Sequence, residues 1–173
     1  MYERFLPTFA VVEINNSTAH RIGHAISQVP CYAADVKVKE VGSYKFIENG
    51  IIVGLDADYK LANFNAAKHS QPCLVYNDEL ITGPINTLDK YAEEVEDGKP
   101  AYVRALPLYL GDTFTTDNFA GEAADGYAEV VDGQLKLQSD VTANTLFIAR
   151  KTNLPNKKTA VEFTYVGKVK ASA

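Results

Sequence analysis

Two Asx-Gly dipeptides do most to constrain what this chain can fold into. Asn49-Gly50 stands between residues 44–48 (YKFIE) and 51–55 (IIVGL), and Asp132-Gly133 between residues 127–131 (YAEVV) and 134–137 (QLKL). Both central residues of a type I′ turn need φ > 0, which Asn, Asp and Gly tolerate best. Each dipeptide flanked by apolar runs therefore predicts a tight antiparallel hairpin. A chain built on such turns has a mainly β fold.

Other segments extend the pattern. Residues 9–14 (FAVVEI) read as a strand broken by Asn15-Asn16-Ser17-Thr18, and 35–41 (DVKVKEV) alternate valine with lysine, a strand with one wet face. Residues 56–71 are polar and small, an excursion with about one helical turn. Residues 73–76 and 79–81 around Asn77-Asp78 predict another short hairpin, ended by Gly83-Pro84. Residues 101–110 (AYVRALPLYL) are extended, and Pro107 lacks an N–H for a ladder, so it belongs on a sheet edge or at a break. Residues 146–150 and 160–166 pair across the turn-rich KTNLPNKKT. The two halves rhyme in their order of glycine, hairpin and apolar strand, as a decayed repeat or any β-meander would.

One short helix is expected near residues 88–97, with 88–96 as its body. Leu88, Tyr91, Ala92 and Val95 recur at i, i+3, i+4, i+7 on one face, Thr87 suits the N-cap, and Gly98 and Pro100 suit the end. The resulting partition is an N-terminal arm and first strand (1–30), a first β-lobe (31–86), the connecting helix (87–99), a second β-lobe (100–167) and a tail (168–173).

Composition bounds the rest. A hydrophobic fraction of 46%, with ten Tyr, eight Phe and no Trp, supports a packed core rich in strands. The net charge of −5 argues against nucleic acid as a partner. No stretch approaches the ~20 apolar residues of a membrane-spanning helix, so no membrane partner is expected, and the N-terminal residues make a poor signal peptide. Charge is unevenly placed. Residues 89–132 carry eleven acids against Lys90, Lys99 and Arg104, whereas 133–173 carry seven bases against Asp140 and Glu162. Such a split either solvates two faces of one molecule or supplies complementary contacts in an assembly.

Chemistry-bearing clusters are weak. His20 and His24 stand four apart and, with Cys31 or Cys73, are the one zinc candidate, but Gly23 interrupts a helix there and no paired C-x-x-C or H-E-x-x-H accompanies them. The two cysteines are expected to be buried and unbridged. No G-x-S-x-G is present, Asp56/Asp58 and Asp78/Glu79 read as turn carboxylates, and Asp56-Ala57-Asp58 lacks the Gly and Glu of a calcium loop. No catalytic residue, metal or cofactor is expected.

Residues 106–166 carry a resemblance. The order PLYLGDTFTTDNF, YAEVVDGQLKLQSD and NTLFIARKTNLPNKKTAVEFTYV is similar in layout to the small accessory head proteins of tailed bacteriophages, the decoration or cement proteins. VGSYKFIENGIIVGLD and PCLVYNDEL give a looser version in the first half. The resemblance implies a non-enzymatic virion protein made in the host cytoplasm. Its partners would be the major capsid protein or another virion protein, and copies of itself. Arg150, Lys151, Lys157 and Lys158, around a proline-bearing loop, are the expected assembly contacts. Rival expectations are a tail or head–tail connector component, and a carbohydrate-binding β module using Tyr102, Tyr109 and Tyr127.

Overall fold

The computed structural model describes residues 10–19, 24–27, 29–77, 92–154 and 157–168. These form a mainly β protein of sixteen strands in three sheets, with essentially no helix.

The six-stranded sheet holds β2 (Pro30–Cys31), β5 (Ile52–Leu55), β6 (Leu61–Asn63), β7 (Cys73–Val75), β9 (Ala101–Tyr102) and β10 (Ala105–Pro107), in the order β10-β7-β5-β6-β2-β9. It is a wall shared by two cores. Ile52 and Leu74 face one, while Ile51, Val53, Cys73 and Val75 face the other, as the two-residue period of a strand requires. A strand buried on both faces cannot alternate apolar with polar, which is why IIV and CLV are continuous apolar runs. Pro107 lies in an edge strand, where its missing N–H costs nothing.

The seven-stranded sheet runs β1-β11-β16-β15-β13-β14-β12, from β1 (Val12–Asn16), β11 (Thr113–Thr116), β12 (Phe119–Ala120), β13 (Gly126–Val131), β14 (Gln134–Gln138), β15 (Phe147–Asn153) and β16 (Thr159–Tyr165). Its inner face carries Phe114, Phe147 and Phe163, packed with Ile52 and Leu74 of the six-stranded sheet. The alternate positions, Thr115, Glu162, Arg150, Thr164 and Ile148, share the opposite face. The β13–β14 hairpin closes as expected, with positive φ at both Asp132 (48°) and Gly133 (76°). The third sheet, β3 (Lys39–Val41), β4 (Tyr44–Glu48) and β8 (Ala92–Glu94), covers the second core through Ile47.

The sheets do not follow sequence segments. β1 is an edge of the sheet formed by the C-terminal strands, and β9 and β10 join the sheet formed by residues 30–75.

Three expectations are corrected. First, the Asn49-Gly50 dipeptide is not a hairpin. β4 pairs with β3 and β8, whereas β5 pairs with β6 and β7, and φ is positive only at Gly50 (86°). The dipeptide is a buried corner that passes the chain from one sheet to another. The Asn49 amide serves that corner: its Oδ1 accepts from Asn77 N–H (2.7 Å), and its backbone carbonyl accepts from Asn118 Nδ2 (2.7 Å). The hairpin at β4 is instead closed by Gly42-Ser43, with Gly42 at φ 62°.

Second, the helix expected at 88–96 is absent where it is described. Leu88 and Tyr91 lie outside the described residues, and Ala92–Glu94 form a strand on β4, pairing Glu48↔Ala92, Ile47↔Glu93 and Phe46↔Glu94. A nine-residue helix is marginal on its own, and the open edge of β4 offers its backbone a ladder instead. Ala92 and Val95 are buried, but Ala92 stands in a strand and Val95 just past its end, where its N–H donates to the Lys45 carbonyl (2.9 Å). Gly98 (φ 75°) closes a turn, with Lys99 N–H donating to the Glu96 carbonyl (3.1 Å).

Third, the 56–71 excursion contains a strand, β6, besides one helix-like turn in which His69 N–H donates to the Asn65 carbonyl (2.8 Å). The hairpin expected around Asn77-Asp78 falls partly outside the described residues.

Candidate functional site

The β15–β16 hairpin pairs through seven rungs, from Phe147↔Tyr165 to Asn153↔Thr159. Its neighbours stop short: β13 reaches only Phe147–Ala149 of β15, and β11 only Val161–Thr164 of β16. The distal part of the hairpin therefore projects past both neighbouring strands. Of the four expected contact residues, Lys157 and Lys158 stand in that part, whereas Arg150 and Lys151 lie past the end of β13 but on rungs whose partners, Glu162 and Val161, still pair with β11; all four are exposed.

Each is held differently. Arg150 pairs across the rung with Glu162 (2.9 Å), whose other oxygen accepts from Asn15 Nδ2 (2.7 Å). The backbone N–H of Lys151 donates to Asp125 Oδ1 (2.7 Å), so a carboxylate blunts the open edge of β15 while the Lys151 side chain stays exposed. Lys157 sits at φ 65° in a tight loop where Leu154 N–H donates to the Lys158 carbonyl (2.9 Å) and Lys157 N–H to the Leu154 carbonyl (2.8 Å). Lys158 forms an ion pair with the buried carboxylate of Asp117, which also accepts from Val11 N–H (2.8 Å). Two links, Lys158–Asp117 and Lys151–Asp125, thus join the basic and acidic stretches inside one molecule.

Beside the tip are two adjoining clefts of about 220 and 160 Å³, sharing Lys39, Glu48, Asn118 and Gln134. Lys39 is paired with Glu48 (3.1 Å), whose Oε1 accepts from Ala10 N–H (2.9 Å), and Lys37 donates to Gln134. Glu48 and Asp117 together fix the backbone that leads into β1.

The residues considered for catalysis or metal are dispersed. His24 is exposed, His20 lies outside the described residues, and Cys31 and Cys73 are buried in the core behind the six-stranded sheet. Among the described residues no group of three or more His, Cys, Asp or Glu converges as a metal site would need. His69 is buried with both ring nitrogens engaged. Asn65 N–H donates to Nδ1 (2.9 Å), which fixes the ring proton on Nε2, and Nε2–H donates to Asp56 Oδ1 (2.7 Å). The ring lies on Gly54, where any Cβ would overlap it. It is a fastening between turns, and no sequence pattern pointed to it. Of the three tyrosines considered for sugar binding, Tyr102 stands on β9 of the six-stranded sheet, Tyr127 on β13 of the seven-stranded sheet, and Tyr109 between β10 and β11.

Burial pushes both thiols up to about 12, at Cys31 with added repulsion from Asp35. At pH 8 only about one thiol in ten thousand is then ionised, and the thiolate is the reactive form. Native protein is expected to resist alkylation at pH 8, and denatured protein to take up one label at each cysteine, both read by intact mass.

The fold and surface define a multi-sheet β protein with a projecting basic hairpin. No protein-family model matches the chain, and neither a curated protein nor a solved structure is detectably similar to it.

Proposed function

We propose that this chain is a non-enzymatic structural protein of a phage virion, a decoration protein that binds the head shell and braces it. The observation that supports this reading best is the β15–β16 hairpin, whose loop carries exposed Lys157 and Lys158 past both neighbouring strands, with exposed Arg150 and Lys151 on β15 beyond the end of β13. A protein that braces a shell needs a rigid body and a protruding contact element. Charge on that element steers docking and sets register, while apolar contact supplies most of the affinity.

The test is occupancy on empty shells. Raising salt from about 0.05 to 0.5 M shrinks the Debye length roughly threefold, so occupancy is expected to fall. Lys151→Glu with Lys157→Glu is the informative charge reversal. Both side chains are exposed, whereas Lys158→Glu would set a second carboxylate against buried Asp117 and disturb the fold. The double variant is expected to lower occupancy at low salt with an unchanged melting midpoint. Occupancy that ignores both salt and reversal would reject the tip as the contact, and failure of wild-type protein to bind shells would reject the decoration reading.

A further inference from the structure

The turn joining β5 to β6 places a tyrosine where the backbone favours glycine. Tyr59 has φ 60°, a left-handed conformation that a bulky L-residue rarely adopts. Its side chain contributes little to the core, since Tyr59 is 66% exposed and the adjoining Leu55 38%. The turn is nevertheless rigid. Asp56 N–H donates to the Lys60 carbonyl (2.8 Å), Tyr59 N–H donates to the Asp56 carbonyl (3.0 Å), the Asp56 carboxylate is held by His69 (2.7 Å), and Lys60 is paired with Asp35 (3.2 Å). A strained backbone position that is firmly fixed and presents an aromatic ring to solvent points to a use outside the molecule.

Position tells what that use is. β5 begins beside the Asn49-Gly50 corner, which is bonded to Asn118, next to Asp117 and Lys158, and it runs away from there to Leu55. Near the opposite end of the β15–β16 hairpin, Leu146 and Lys168 line a groove of about 500 Å³ together with Asn65 and Ala67, from the loop that holds His69 against Asp56. The Tyr59 turn and the basic tip therefore lie toward opposite ends of a hairpin roughly 20 Å long. They are also complementary in charge. Asp58 is exposed beside Tyr59, and the distal part of the hairpin carries exposed Lys151 and Lys157.

We infer that Tyr59, flanked by Leu55 and Asp58, is a docking anchor for a second copy of this chain and seats against that copy's basic hairpin tip. The ring face accepts the cation of Lys151, and Asp58 pairs with Lys157. Because the two surfaces differ and lie at opposite ends, the contact is heterologous and repeats from copy to copy. The inference rests on the assembly reading only in taking the tip as a contact surface.

Sedimentation velocity on the full chain, up to about 1 mM at low salt, tests it at the weak end of specific association. Tyr59→Gly is the decisive variant because it removes the ring and relieves the backbone at once. Self-association is expected to weaken on the order of tenfold, the scale of one aromatic anchor, while the melting midpoint stays level or rises. Asp58→Lys and Lys157→Glu are each expected to weaken association, and the double variant to restore it. A wild-type chain that stays monomeric, a Tyr59→Gly chain that associates like wild type, or one whose midpoint falls would each overturn the inference. Uptake on shells is read separately. Normal self-association without shell uptake rejects only the shell reading, and shell uptake without self-association rejects only this one.

Discussion

Phe163→Ala is expected to cost about 3–5 kcal/mol of stability, the range for emptying an aromatic site in a packed core. Phe163 is fully buried at the centre of the seven-stranded sheet's inner face. Its ring lies 5.8 Å from that of Phe114 and 6.3 Å from those of Phe147 and Phe119, with the Phe147 contact edge-on at 83°. These four rings come from β11, β12, β15 and β16, so their shared centre ties together strands distant in sequence. The backbone around Phe163 is fixed on both sides, by Phe114 on β11 and Ala149 on β15, so the site has little freedom to collapse. Against a typical total of 5–15 kcal/mol, a loss of this size leaves the domain close to unfolding. Chemical denaturation should show a lower midpoint with an unchanged slope. A loss below about 1 kcal/mol would mean that the ring is replaceable and the sheet's inner face is not the core.

How far the sequence reveals this architecture depends on the range of the forces that fix each part. The β13–β14 hairpin was legible because Asp132-Gly133 sets φ > 0 locally and the strands it joins pair with each other. Asn49-Gly50 carries the same local signal, yet its strands enter different sheets, because IIV must be covered on both faces and one hairpin partner cannot do that. The spacing of Ala92 and Val95 fits a helix as well as an irregular edge strand, and the free edge of β4 decides between them. The basic tip was legible as a charged, turn-rich stretch. The carboxylates that hold it, Glu162, Asp125 and Asp117, arrive through long-range pairing that no local pattern announces. Tyr59 escaped notice for a related reason: tyrosine is not a turn residue, and its left-handed backbone is imposed by Asp56 and Lys60 around it.

The second large effect is expected at Gly50. Gly50→Val meets two costs that add. At φ 86° a β-branched side chain is forced into left-handed backbone, about 1–2 kcal/mol. Its Cβ would also lie 2.8 Å from Thr116 Oγ1, 2.9 Å from Asn118 Cβ and 3.3 Å from Val12 Cγ2, and overpacking of this kind costs about 1–3 kcal/mol. The crowded atoms are not free to retreat. Thr116 Oγ1–H donates to the Val11 carbonyl (2.8 Å) and accepts from Asn118 N–H (3.0 Å), and Asn118 Nδ2 holds the Asn49 carbonyl. Movement at Gly50 therefore breaks hydrogen bonds at the corner between β4 and β5, where β11 and β1 pack against it. Gly42→Val separates the two costs. Gly42 has a similar φ of 62° but nothing within 4 Å of its Cβ position, so it carries the backbone cost alone. Thermal unfolding of the pair should place Gly42→Val within about 1–2 kcal/mol of wild type and Gly50→Val roughly 2–5 kcal/mol below it. Equal losses at the two positions would show that Gly50 is an ordinary turn glycine and that the corner between the sheets is not closely packed.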